Sequence, residues 1–310
     1  MILTITLNPS IDRDYHIENF EKGKVLRAND VKCTPGGKGL NVARVAKVFT
    51  DSVMATGYLG GNSGNYIKER LDDLNIRHKF LSINGETRSC LAIHSDDGSE
   101  TEILEKGPYI SREEHLKFIK LYRNLIEDKE VICASGSLPQ GLSIETYKEL
   151  ILIAKKQNKK FILDTSGDAL KLGIEASPYL VKPNKDELEK LVGHAINSEK
   201  DVIKGAQCLL NNNIEIVVIS LGAEGAMIFN KDYVYKVNVP TIKVVNSVGS
   251  GDSMIAGFAI SLIENYDFEL MIKFASACGA ANAMEEETGK VNIDNVKDII
   301  NKINIVKKKI

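Results

Sequence analysis

Several absences narrow the reading of this chain before any motif is considered. No apolar run reaches the ~20 residues that a membrane helix needs, because charges interrupt each one earlier. No basic segment precedes the strand-like start Met1-Ile-Leu-Thr, so no signal peptide is expected. Net charge is only −2, which gives no reason to expect nucleic acid or an anionic membrane as partner. The five cysteines, Cys33, Cys90, Cys133, Cys208 and Cys278, are odd in number, scattered and without metal-type spacing. They read as reduced thiols of a cytoplasmic protein. The five histidines, His16, His78, His94, His115 and His194, are isolated, and no pair has the spacing of a metal site. The P-loop pattern is missing, and so is the Gly-x-Gly-x-x-Gly that a dinucleotide-binding oxidoreductase would carry after its first strand.

What remains is ordinary globular composition, 43% hydrophobic and 26% charged, in a chain long enough for one large α/β domain with an appendage. Continuous apolar runs at Ser52–Tyr58, Val131–Ala134, Phe161–Asp164 and Ile216–Ser220 fit parallel strands covered on both faces. Helical patterns alternate with them at Gly64–Leu74, Arg112–Ile126, Ile144–Lys156, Asn184–Val192 and Asp201–Leu210. The C-terminal third reads as mostly helical: Asp252–Ile263, Phe268–Met284 and Asn295–Lys302. This alternation predicts a doubly wound, mostly parallel sheet flanked by helices. Two stretches break the rhythm, Ile11–Lys32 and Thr87–Leu104, the second around the hairpin signal Asp96-Asp-Gly98. They are expected to form a small β-sheet outside the core. The basic tail Lys307-Lys-Lys309 reads as a solvated end.

The segment Asn246-Ser-Val-Gly-Ser-Gly-Asp252 carries the most chemistry. Gly249, Ser250 and Gly251 run straight into an apolar helical pattern. A helix starting there aims free N–H groups and its positive dipole end at a ligand, with the Asp252 carboxylate at the rim. An anion hole beside a carboxylate suits phosphoryl transfer to a hydroxyl, Asp252 acting as base. A second glycine cluster, Pro35-Gly-Gly-Lys-Gly-Leu-Asn-Val-Ala43, also opens a helix. There Gly37 could bring backbone amides to a ligand, beside the side chains of Lys38 and Asn41. Asp12 lies just past the strand-like Ile2–Thr6, at a strand end where ligands of open α/β sheets bind. It would equally serve as a turn or capping carboxylate. Ser220, Gly222 and Gly225 follow the strand Ile216–Ile219, again at a carboxyl end, where a nucleotide would lie. Asn184 can cap the helix that follows it, with Glu187 one turn on.

Together these motifs resemble the PfkB, or ribokinase-like, family of sugar kinases, in its phosphosugar branch. The resemblance runs from Asn8 to about Gly289. It rests on Leu7-Asn-Pro-Ser-Ile-Asp12, Gly36–Ala43, Glu86-Thr-Arg88, Gly136-Ser-Leu-Pro139, Lys182–Glu187 and the Gly249–Asp252 loop. It implies ATP-dependent phosphorylation of a ketohexose phosphate, tagatose 6-phosphate to tagatose 1,6-bisphosphate, with fructose 1-phosphate taken at O6 as the alternative. A non-catalytic sugar-phosphate sensor on the same fold is the reading from another class, and the presence of Asp252 and its glycines speaks against it. Arg88 and the ending Asn41-Val-Ala-Arg44 favour the phosphosugar branch over nucleoside or ribose kinases. By the resemblance, Arg88 grips the substrate phosphate, with Lys24 and Arg27 as weaker candidates, and Ser137 joins Asp12, Gly37, Lys38 and Asn41 around the sugar. Lys182 approaches the nucleotide phosphates, and Asn184 and Glu187 organise Mg²⁺ through water. The small sheet becomes a lid over the sugar and a homodimer interface. Family members often have Asp where this chain has Asn246, in a loop that can help hold a monovalent cation. That substitution leaves potassium activation open.

Overall fold

The computed structural model describes residues 1–310. An eleven-stranded sheet forms the centre of the molecule. Its middle is parallel. Ile2–Thr6 lies between Val53–Leu59 and Val131–Ser135, and Lys160–Asp164, Leu180–Val181 and Ile216–Ser220 continue outward from Val131–Ser135. Three antiparallel strands, Ala226–Phe229, Tyr233–Asn238 and Asn304–Lys309, close that end. The short strands Arg77–His78 and Leu81–Ser82 pair with Val53–Leu59 at the other. The expected doubly wound sheet is therefore present.

Alternation along the strands sends side chains into two separate cores. Ile2, Val53, Ala55, Val131, Cys133 and Ile162 face one side, covered by the helices Lys38–Phe49, Gly61–Asp73, Ser250–Ile263, Phe268–Ala283 and Ile293–Lys302. Leu3, Ile5, Tyr58, Ile132, Ala134 and Leu163 face the other. There they meet the helices Arg112–Leu125, Thr146–Lys156, Gly167–Glu175, Lys185–Val192 and Glu199–Leu210. Burial on both faces is what makes the parallel strands read as unbroken apolar runs. The helix Ser250–Ile263 is apolar nearly all round because it sits between the sheet and Phe268–Ala283. At their crossing a Cβ on Gly257 would come within 2.5 Å of the Ala275 Cα. No helix of the protein is long and apolar enough to cross a membrane.

A second sheet stands apart, in the order Asp30–Gly36, Ser10–Ile17, Arg88–Ser95, Glu100–Leu104. It is built from the two stretches that break the strand–helix rhythm. Within the first of these stretches the second strand begins only at Asp30; residues 24–29 have no regular structure, although the Asn29 N–H bonds the His16 carbonyl. The tail expectation is corrected outright. Asn304–Lys309 is an edge strand paired with Tyr233–Asn238 in full register. Lys307 lies over the rings of Tyr233 and Tyr235, and Lys308 bonds Glu199. Long lysine stems that cover aromatic faces while the ammonium stays wet make such a strand look like a solvated tail.

Candidate active site

A cavity of about 520 Å³ opens at the carboxyl ends of the parallel strands, between the large sheet and the inner face of the small one. Strand ends supply Thr6, Ser135, Asp164 and Lys182 to its floor, and helix starts supply Lys38 and the Gly249–Asp252 loop. The small sheet contributes Asp12, Arg88, Cys90 and Ala92. Strand order changes direction around Ile2–Thr6, and the crevice of an open α/β sheet falls at such a point.

Asp252 sits in the first turn of the helix Ser250–Ile263, only 5% exposed. Gly249, with φ 82°, turns the chain into that helix. This left-handed conformation favours glycine. The Asn41 amide Nδ2 donates to Asp252 Oδ2 at 2.8 Å. Burial pushes the Asp252 carboxyl up to about 6, against the pull of Lys38, the Asn41 hydrogen bond and Lys182, while the Asp164 charge adds to the rise. A Cβ on Gly251 would lie 3.0 Å from Lys182 Nζ, so a lysine ammonium borders the amide nest. Lys38 and Lys182 are shared by one carboxylate, Asp164, at 3.6 and 3.5 Å. Asp164 is 1% exposed and neither oxygen has a hydrogen-bond partner. Its field raises the pKa of Lys38, which stays charged.

Asp12 accepts a 2.7 Å hydrogen bond from Ser10, and burial raises its pKa despite that bond and the charges of Arg44 and Arg88. Arg88 Nε and Nη2 donate to the Asn8 carbonyl, and Nη1 to the Glu105 carbonyl. The guanidinium is thus braced against backbone, with two of its five N–H groups uncommitted. Ser137 accepts from Asn8 Nδ2.

Ten of the residues singled out in the sequence line this cavity: Asp12, Gly37, Lys38, Asn41, Arg88, Ser137, Lys182, Gly249, Gly251 and Asp252. Ser250 lies between the two glycines of the nest. Asn184, Ser220 and Gly222 line a second cavity of about 420 Å³. Asn184 and Ser220 face each other there as a parallel bridge. Gly225 (φ 84°) closes the loop above it, where a Cβ would meet the Val237 carbonyl at 2.2 Å. Glu187 forms the capping box with Asn184, and its charge also acts on Lys38. No group of three or more His, Cys, Asp or Glu side chains could hold a metal. Magnesium keeps several waters and needs only one or two carboxylates beside substrate phosphates, so an oxygen donor such as Glu187 fits it. Asn246 donates through Nδ2 to the Glu286 carbonyl and accepts from Val248 N–H, so this loop is tied by an amide where a carboxylate would offer no donor. Lys24 and Arg27 are not brought to the cavity; both are exposed in the segment between two strands of the small sheet.

Asp164 is a site residue that the motif reading passed over, although it ends the strand-like run Phe161–Asp164, a position where ligands of such sheets bind.

Residues 5–295 match the family described as pfkB family carbohydrate kinase. The chain belongs to that family. PfkB kinases transfer a phosphoryl group to a sugar hydroxyl, and ATP as co-substrate is consistent with membership. The chain is 43% identical over 309 residues to a protein from Staphylococcus epidermidis named tagatose-6-phosphate kinase, covering 99% of both. Among solved structures it is similar to phosphofructokinase-2 from Escherichia coli in complex with potassium, with a TM-score of 0.91 and 31% identity over 97% of this chain and 98% of that one. The same enzyme in complex with fructose-6-phosphate gives a TM-score of 0.89 at the same identity and coverage.

The raised pKa of Asp252 has a consequence for stability. A carboxyl that holds its proton more tightly when folded is destabilising once ionised. The penalty develops as pH rises from the ordinary 3.8 to about 6 and is complete above that. Two units correspond to an upper figure of about 3 kcal/mol. Asp252→Asn should therefore melt at higher temperature than the parent enzyme at neutral pH, and the gap should close as pH falls towards 4. Equal melting temperatures at neutral pH would mean that the carboxylate is not penalised by its burial.

Proposed function

We propose that this PfkB kinase uses ATP and Mg²⁺ to phosphorylate tagatose 6-phosphate at O1, giving tagatose 1,6-bisphosphate. The observation that carries this reading is the buried Asp252 carboxylate beside an amide nest, with an arginine, Arg88, lining the same cavity. The full-length likeness to a protein named tagatose-6-phosphate kinase supports the substrate.

In this reading the sugar lies against Asp12, Gly37, Asn41 and Ser137, and Arg88 points its two free N–H groups at the 6-phosphate. The O1 hydroxyl gives its proton to Asp252 as its oxygen bonds to the γ-phosphorus and the bond to the ADP oxygen breaks. Gly249, Ser250 and Gly251 hold the charge that develops on the transferring group. Lys38 and Lys182, steadied by Asp164, and the Asn184–Ser220–Gly222–Gly225 region serve the nucleotide. Glu187 would hold Mg²⁺ through water, and the ion would supply charge neutralisation at the phosphate oxygens. Five unpaired cysteines fit a reducing, cytoplasmic setting.

The chain acts as one kinase domain whose small sheet is a lid, formed by the segments 11–32 and 87–104. Closure would exclude water and carry Lys24 and Arg27 towards the sugar phosphate. The half-exposed Val31 and Ile103 and the open strand edges would meet a second copy in a homodimer. Saturating sugar phosphate should raise hydrogen-exchange protection in both segments. Unchanged protection would make the sheet a static appendage. Sedimentation should give a dimer, and a monomer at all concentrations would remove that contact.

Substrate choice is tested by a coupled assay. The value of kcat/KM for tagatose 6-phosphate should exceed those for fructose 6-phosphate and fructose 1-phosphate by at least about tenfold. A higher value for fructose 1-phosphate would reassign the enzyme as a 1-phosphofructokinase. Arg88→Ala should raise the KM for sugar phosphate roughly ten- to a hundredfold and leave that for ATP little changed. An unmoved sugar-phosphate KM would place the phosphate on other residues.

A further inference from the structure

Arg44 is nearly buried in an otherwise apolar stretch of the helix Lys38–Phe49, and it stands behind the cavity wall and does not line it. Its guanidinium instead joins three segments. Nη2 donates to Asn41 Oδ1 at 2.7 Å and to the Thr288 carbonyl at 2.6 Å, and Nη1 meets Glu287 Oε1 at 2.8 Å. We propose that Arg44 is a positioning residue for Asp252: it fixes which end of the Asn41 amide faces the carboxylate, and so keeps a donor on the base.

Donor and acceptor identity decides how the amide sits. The two ends of an asparagine amide have nearly the same shape and opposite polarity. A guanidinium can only donate. The end of Asn41 that faces Arg44 must therefore be its oxygen, which leaves Nδ2 for Asp252 Oδ2 at 2.8 Å. Without Arg44 only Asp252 itself selects the donor end, and the Oδ1 end of the amide loses the guanidinium that anchors it. A flipped amide would set Oδ1 against the Asp252 carboxylate, two acceptors in contact inside a buried site, and the side chain would turn away.

A residue serving packing alone gains nothing from a charge here. Burial pushes the Arg44 pKa down, and the charges of Glu287, Asp12 and Asp252 oppose that fall. The surrounding backbone is shaped to this group. Gly289 has φ 69°, and a Cβ there would come within 3.0 Å of Arg44 Nη2 and of the Asn41 Cα and Cβ. Thr288, whose carbonyl Arg44 holds, also backs the nest: a Cβ on Gly249 would meet Thr288 Cγ2 at 2.6 Å. One cation thus ties the 287–289 loop, the sugar-side asparagine and the base together.

The inference rests on Asp252 being the base, and a double-mutant cycle separates the two. The variants are Arg44→Met, Asn41→Leu and their combination, with Asp252→Asn as control, each checked for folding by thermal melting. Arg44→Met should lower kcat roughly ten- to a hundredfold, the worth of a hydrogen bond to a charged group. The KM values for sugar phosphate and ATP should stay within about twofold. In the Asn41→Leu background the same change should lower kcat by less than about twofold, because coupled residues are not additive. If Arg44→Met does not fold, Arg44→Lys is carried through the same cycle, since a single ammonium keeps the charge but not the fixed fork. A kcat within about twofold of the parent, a loss appearing in KM, or a full loss repeated without Asn41 would each overturn the proposal. If Asp252→Asn is inactive while the Arg44 and Asn41 effects multiply, the base stands and the positioning role falls. If Asp252→Asn keeps its turnover, the base reading itself falls.

Discussion

Everything in this site is arranged around one carboxylate that is kept out of water without being neutralised by a direct ion pair. Asp252 is buried, and burial alone drives it towards protonation. A fixed amide donor and two lysines at a distance hold it where it can still ionise near neutral pH. The second carboxylate, Asp164, lies between those lysines and competes with Asp252 for them. A salt bridge to Asp252 would have lowered its pKa and made it a poor proton acceptor. Distance and competition give it intermediate basicity.

The fold makes this arrangement local to one end of one sheet. Parallel strands all deliver their carboxyl ends to the same side, so Thr6, Ser135, Asp164 and Lys182 converge although they are far apart in sequence. Two helices then begin at that edge. Their first turns bring unbonded N–H groups to a place where phosphate charge would be held. Glycine leaves room for the Asp12 side chain: at Gly36 a Cβ would fall 2.0 Å from its carboxyl. The small sheet closes the open side and carries Arg88, whose three backbone-directed hydrogen bonds fix the guanidinium before any ligand arrives.

Much of this is legible in the sequence, for physical reasons that differ from element to element. Val131–Ser135 and Ile216–Ser220 announce themselves because strands buried on both faces are apolar along nearly their whole length, with serine only at the carboxyl end. Leu180–Val181 is too short to show a period, and only the Lys182-Pro-Asn184 that follows marks the place. The hairpin of Ala226–Phe229 and Tyr233–Asn238 and its partner Asn304–Lys309 stay hidden because their pairing is long-range and three lysines mask the last strand. Asp252 and Asn41 stand in glycine-rich motifs and are found by spacing. Asp164 is not, since it is a single charge at the end of an apolar run, and Arg44 shows only as the last residue of the Asn41-Val-Ala-Arg44 ending; only the fold shows that Asp164 touches two lysines and Arg44 an amide. Lys24 and Arg27 fail in the opposite sense: their charge suits a phosphate, and their segment stays outside the cavity.

The central claim is that Asp252 removes the sugar hydroxyl's proton during phosphoryl transfer. Single-turnover quench measurements on Asp252→Asn, with ATP and tagatose 6-phosphate both saturating, test it most directly. The predicted result is a transfer step slower by roughly 10²–10⁴ with the sugar-phosphate dissociation constant essentially unchanged, as loss of a general base requires. A transfer rate within about tenfold of the parent enzyme would contradict the account.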